Sequence, residues 1–167
     1  MAKKHITILI LLLILSMQIY SQTNEPIKRQ EVKLNLPYLL AGMLELEYEF
    51  HHNSWNSSGV ITSFDLDSNI EFDFRLLIFH RLYMGKNDNA GVFLEGNFGL
   101  IQVTQSRDWV LFKEKYSALG IGLALGWKFF IPEPSIVIDI FVGMGRLFGN
   151  DNPGVYPRLG INLGRRF

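Results

Sequence analysis

Cysteine is absent from this 167-residue chain, which excludes a disulfide framework, a thiolate metal site, a cysteine nucleophile and an acylated N-terminal cysteine. Charge is scarce and balanced. The 16 basic residues meet 16 acidic ones, together 19% of the chain, without the basic excess that marks a nucleic-acid binder. No apolar run approaches the roughly 20 residues that a membrane-spanning helix needs. Apolar and aromatic character is plentiful, at 48% and 13% of the residues. That content argues against disorder, and the length suits one domain.

The totals average over two different segments. Residues 1–22 carry Lys3 and Lys4, then the apolar stretch Ile6 to Leu15, then the polar Ser16, Gln18, Ser21 and Gln22. This order of basic, apolar and polar regions is that of a secretory signal peptide. Cleavage is expected after Ser21 or Gln22, although Ile19 is larger than the ideal residue three places before the cut. The alternative is an uncleaved interfacial anchor. Residues 23–30 are expected to form an N-terminal periplasmic segment, and 31–167 the folded domain.

From Glu31 onward the hydrophobic period is two. Between Ala118 and Phe130, one face reads Leu119, Ile121, Leu123, Leu125, Trp127 and Phe129. The other reads Ala118, Gly120, Gly122, Ala124, Gly126 and Lys128. A water-soluble strand would turn its greasy face inward and show polar side chains outside, not a row of glycine and alanine. The greasy face is therefore predicted to lie outside, against lipid. The division recurs. Leu44, Leu46, Tyr48 and Phe50 oppose Glu45, Glu47 and Glu49; Phe72, Phe74, Leu76 and Ile78 oppose Glu71, Asp73, Arg75 and Arg81. Leu94, Phe98 and Leu100 oppose Phe93, Glu95 and Asn97, and Ile138, Ile140 and Val142 oppose Asp139 and Gly143. The end of the chain sets Leu159, Ile161, Leu163 and Phe167 against Arg158, Gly160, Asn162, Gly164 and Arg166. A short first strand (Val32, Leu34 and Leu36 against Lys33 and Asn35) and a weaker one near Gly59 to Leu66 bring the count to about eight, the smallest usual transmembrane barrel. The predicted fold class is all-β, an eight-stranded antiparallel up-and-down transmembrane β-barrel.

With the N-terminus in the periplasm, the connections near His51 to Ser58, Met84 to Ala90 and Ile131 to Pro134 become periplasmic turns. Tyr48, Phe50, Tyr83, Trp127, Phe129 and Phe167 then end their strands at that interface, as an aromatic girdle does. Tyr38, Phe64, Phe148 and Tyr156 fall near the opposite rim.

The signal-like start, the alternating strands and the ending Leu159-Gly160-Ile161-Asn162-Leu163-Gly164-Arg165-Arg166-Phe167 resemble small Gram-negative outer-membrane barrels of the OmpA and OmpX type. Lys33-Leu34-Asn35-Leu36, followed by Leu46-Glu47-Tyr48-Glu49, looks more closely like a family of small barrels known only as a domain of unknown function. The resemblance implies residence in the outer membrane, contact with outer-membrane lipids, and insertion by the barrel-assembly machinery. That machinery would read a terminal signal at Phe167, from which Arg165 on the same face departs.

An eight-stranded interior is just wide enough for side chains to fill, and charges there must pair or stay hydrated. The predicted lumen charge network is Lys33, Glu45, Glu47, Glu49, Glu71, Asp73, Arg75, Glu95, Lys128, Asp139, Arg158 and Arg166. Glycines on the later strands leave room for the long side chains of the earlier ones. The competing reading is a gated ion path or a polar-ligand site among Glu45, Glu47, Glu49 and Arg75. Adjacent same-face Glu residues make poor acid–base pairs unless their environments differ. Asp65 to Asn69 starts like a calcium loop, but Ile70 and Leu76 stand where glycine and the last glutamate belong. Gly120-Ile121-Gly122 lies inside a period-two strand and is no dinucleotide fingerprint. His51 and His52 are placed in a periplasmic turn and His80 near it, so none can serve as a base at the outer rim; a metal site at His51 and His52 stays open. Arg107, Asp108, Trp109 and Lys113 form the best candidate for an outside contact. The expectation is a monomeric, non-enzymatic protein without cofactor, metal site or nucleic-acid partner. Its role would be structural or in surface interaction. A narrow channel or ligand barrel is the alternative, and a lipid-modifying enzyme comes behind both.

Overall fold

The computed structural model describes residues 29–66, 72–84, 89–106, 113–149 and 154–167, with backbone alone at 72–73, 103–106 and 113–116. The expected signal peptide at 1–22 and Glu71, Arg107, Asp108 and Trp109 lie outside the described residues, as do the side chains of Asp73 and Lys113.

Eight strands run β1 (Gln30–Asn35), β2 (Met43–His51), β3 (Asn56–Asp65), β4 (Phe72–Met84), β5 (Gly91–Ser106), β6 (Lys113–Ile131), β7 (Ile136–Phe148) and β8 (Val155–Arg166). Each pairs with its sequence neighbour, and β8 returns antiparallel to β1, so the barrel closes and leaves no unpaired edge. The seam aligns Glu31 with Arg166, Lys33 with Gly164 and Asn35 with Asn162. At its end the Phe167 N–H donates to the Gln30 carbonyl at 2.8 Å and the Gln30 N–H to that of Phe167 at 3.3 Å.

The first strand stops at Asn35 rather than continuing through Leu36. A short helix, α1 (Leu36–Leu40), follows, with Asn35 as N-cap accepting the Tyr38 N–H at 3.5 Å and proline in the first turn. Gly42, at φ +91°, then turns the chain into β2.

Side-chain direction follows the pleat. On β6 the outward Leu119, Ile121, Leu123, Leu125, Trp127 and Phe129 are 47–62% exposed, while the inward Ala118, Ala124 and Lys128 are buried. Val142, Met144, Ile140 and Leu159 continue the apolar outer surface. A contiguous belt of this kind is unstable against water and stable against hydrocarbon. Leu123→Arg, in the middle of that belt, is therefore expected to cost about 2–4 kcal/mol in a bilayer. Reversible unfolding from phospholipid vesicles measures it, and a loss no greater than that of Ser117→Arg near the rim would contradict a lipid-facing Leu123.

The start of β1 and the end of β8 share one end of the barrel with the β2–β3, β4–β5 and β6–β7 connections. There the Asn53 side-chain oxygen accepts the N–H groups of Trp55 and Asn56, both at 3.0 Å. Asn89 reaches the same turn, its N–H donating to the Ser54 carbonyl at 3.0 Å and its side-chain amide to that of Asn53 at 2.7 Å. At the other end, β5 and β6 remain paired from Thr104–Lys115 to Ser106–Lys113, past the described pairings of β4 and β7. In the sequence, the segment carrying Arg107, Asp108 and Trp109 connects β5 to β6.

Candidate functional site

The interior is the chemically dense part of the molecule. Toward the loop end it is closed by an apolar cluster of Ile61, Leu77, Phe79, Ile101, Ala118, Leu147 and Tyr156. The rest is mostly charged, around a second buried cluster of Tyr83, Phe93 and Phe141. Among the described residues, six carboxylates (Glu31, Glu45, Glu47, Glu49, Glu95, Asp139) and six cations (Lys33, Arg75, Arg81, Lys128, Arg158, Arg166) are buried. Ten of these are members of the network read from the sequence.

Arg81, from β4, is the hub. Its Nη1 lies 2.8 Å from Glu47, Glu49 and Asp139, while Nε donates to Glu95 at 2.9 Å. Four acids on three other strands thus converge on one guanidinium, which is sandwiched between the rings of Phe79 and Phe93 at 4.6 and 4.4 Å. Planar donors plus two stacking faces are what guanidinium offers and ammonium does not. Lys33 contacts Glu31 at 3.2 Å, Glu47 at 2.6 Å, Asp139 at 2.7 Å and also Glu49. Lys128 bridges Glu31 at 2.7 Å and Glu49 at 2.9 Å. Arg158 spans Glu45, Glu47 and Glu95 at 3.0–3.2 Å and stacks on Phe141. Arg166 pairs with Glu31 at 2.7 Å over the Phe130 ring. Arg75 reaches Glu45 at 3.5 Å and lies over Tyr38 of α1, which tethers the helix to the loop-end mouth.

Neutral donors fill several further acceptor positions on Glu45, Glu47 and Glu49. Glu45 accepts from Asn35 at 2.8 Å and Ser63 at 2.9 Å, Glu49 from Ser57 at 2.5 Å and from Tyr83, and Glu47 from Asn162 at 2.9 Å. Two acidic groups bring ligand atoms within 4.8 Å of one another, Glu31–Glu49–His51 and Glu47–Glu49–Asp139. The ammonium and guanidinium groups of Lys33, Lys128, Arg81 and Arg166 already occupy the space against these carboxylates, so the set is better suited to internal pairing than to a metal ion.

Several residues stand elsewhere than the sequence reading put them. Tyr83 is no part of an outer girdle: it shares the inward parity of Arg81, is 6% exposed and donates its hydroxyl to Glu49. Its outward neighbour Met84 takes the rim position. Tyr156 is likewise fully buried, its hydroxyl donating to the Asn97 side chain at 2.6 Å. His51 belongs to β2 rather than to a turn. It faces the lumen, its Nε2 at 2.8 Å from Glu31, whereas the neighbouring His52 faces out, so the two cannot share a metal. Tyr48, Trp127 and Phe129 are exposed on the outer surface, and Phe50 and Phe167 are half-buried. Glu31 and Arg81 were not in the predicted set, though the same two-residue parity that selects Lys33 and Arg75 selects them.

The fold and this interior define a class: an inside-out, eight-stranded barrel with an apolar exterior and a polar core, the transmembrane β-barrel. Among solved structures the chain resembles the N-terminal β-barrel domain of Pseudomonas aeruginosa OprF, with a TM-score of 0.51 and 10% identity over 84% of this chain and 98% of that one. A weaker likeness joins it to the Yersinia pestis outer membrane protein Ail, at a TM-score of 0.44 and 16% identity over 84% of this chain and 99% of that one. No family model and no curated protein sequence matches the chain. The likeness to the OprF domain is one of fold.

Proposed function

We propose that this chain is an integral outer-membrane protein without enzymatic activity, a rigid scaffold whose closed, charge-paired lumen holds a surface hairpin in place. The observation that carries this reading is the balance, among the described residues, of six buried carboxylates by six buried cations in direct contact. An ion path needs hydrated, singly signed or exchangeable groups along a continuous bore. Here Lys33, Arg81, Lys128 and Arg158 are each clamped between acids from different strands, an arrangement that favours a plug. The likeness in fold to the β-barrel domain of OprF and the apolar exterior support the location. The projecting β5–β6 hairpin supports a surface role for the segment of Arg107, Asp108, Trp109 and Lys113, and Phe167, at the sealed seam, supports recognition by the assembly machinery.

Planar-bilayer recording of the refolded protein tests the closed lumen. The expected result is no stepwise conductance above background, unchanged by Glu47→Gln. Steady single-channel steps that Glu47→Gln alters would establish the channel reading instead. Fractionation is the companion test of location: a heat-modifiable species is expected in the outer-membrane pellet, and recovery as a water-soluble monomer would refute the assignment.

A further inference from the structure

The charge network leaves one group of polar side chains on the lipid-facing surface unexplained. His80 (β4) and Ser58 (β3) are direct cross-strand partners and both point outward, and His52 enters from the start of the β2–β3 turn. Ser58 Oγ lies 2.9 Å from His52 Nε2 and 2.9 Å from His80 Nδ1. The two imidazoles face each other across that hydroxyl, with ring centroids 6.2 Å apart and planes 28° from parallel. A serine hydroxyl has a single proton, so it can donate to one of these nitrogens and must accept from the other.

The surroundings hold this arrangement without filling it. The Phe50 ring stands edge-on to His52 at 5.4 Å, and the His52 N–H is tied to the Asn56 carbonyl at 3.2 Å. On the far side, the residue paired with His80 is Gly96, and a Cβ there would meet nothing nearer than a leucine methyl at 3.9 Å. His80 is thus flanked on one side by a nitrogen and an oxygen donor and on the other by open space. His52 stands exposed in the β2–β3 turn, the side from which water and dissolved ions approach the site, while the outward Leu82 and Met84 continue the apolar surface beyond His80 on β4.

We propose that His52, Ser58 and His80 form a surface site for a divalent transition-metal ion of the Zn2+ or Cu2+ class. Two neutral imidazoles and a hydroxyl make a borderline nitrogen-rich set that suits these ions rather than Ca2+ or Mg2+. Imidazole nitrogens sit about 2.0–2.1 Å from zinc, so the rings must close on the ion from their present positions. Both rings are exposed, and rotation about their side-chain bonds allows it. Gly96 leaves the fourth position to water or an external ligand, the open coordination that distinguishes a reactive or exchangeable site from a structural one.

The full chain, prepared without a histidine tag and refolded in detergent, is titrated with Zn2+ by calorimetry, and its Cu2+ complex is examined by electron paramagnetic resonance. The expected result is one saturable Zn2+ per barrel and a Cu2+ spectrum coupled to two imidazole nitrogens. His52→Ala and His80→Ala are each expected to weaken binding by about tenfold or more and to leave a single coupled nitrogen. Both positions face outward, so heat-modifiable migration verifies that the variants fold. Absence of saturable binding, or binding that persists in the double variant, overturns the proposal and leaves the three residues as a hydrogen-bonded tie between β2, β3 and β4.

Discussion

Arg81→Met is expected to destabilise the refolded barrel by about 3–5 kcal/mol, the cost of deleting one partner from a buried ion cluster and leaving the others uncompensated. Four carboxylates depend on this guanidinium: Glu47, Glu49, Asp139 and Glu95. Their repulsion is what the measurement reads, more than any lost attraction. Arg81→Lys keeps the charge but loses the planar fork and the stacking between Phe79 and Phe93, and belongs between the two. Neutralising an acid at the same time, as in Arg81→Met with Glu95→Gln, removes part of the excess negative charge and should recover part of the loss. The check is the denaturant midpoint for refolding into detergent micelles, followed by gel migration of unheated samples. Equal midpoints for wild type and Arg81→Met would mean that the interior charges are hydrated and independent rather than paired.

Gly145→Ala is expected to cost about 1–3 kcal/mol through overpacking, a large effect for one methyl group. A Cβ at this position would lie 2.1 Å from the Tyr156 ring, which also covers Gly120 and Gly122. The three glycines of β6 and β7 form a trough for that ring, whose hydroxyl then reaches Asn97 on β5. Tyr156 thus spans the loop-end lumen and closes it. In a Tyr156→Ala background the atoms nearest that methyl are gone, so the second cost should fall. A double-mutant cycle on the same unfolding assay measures this coupling, and additive losses would show that the clash is relieved elsewhere.

How much of this was readable beforehand depends on which physical rule sets each feature. Alternation with period two assigns every strand residue to one of two faces, and only hydrocarbon tolerates the greasier face outside. Barrel, strand count and most of the charged interior follow from that rule alone, as Leu123 against Ala124 and Leu46 against Glu47 illustrate. The departures come where a residue's type pulls against its parity. Tyr83 and Tyr156 look like rim aromatics by composition, yet their parity turns them inward, where Glu49 and Asn97 accept their hydroxyl protons. His51 and His52 look like a pair in the sequence, and consecutive residues of an extended chain point to opposite sides. The helix at Leu36–Leu40 was signalled by Asn35 and Pro37, but its apolar residues continue the strand pattern and conceal it.

What the sequence by itself determined is which side chains face inward, because that depends only on the local pleat. Which of them meet was decided by closure. Bending eight strands into a barrel brings Glu47, Glu49, Glu95 and Asp139 from β2, β5 and β7 around the Arg81 of β4, and the cross-lumen partner of a residue depends on strand tilt and stagger that no single strand encodes. The balanced charge of the composition became a paired interior only through that long-range geometry. His52 and His80 stand on either side of Ser58 through the register of neighbouring strands rather than through closure.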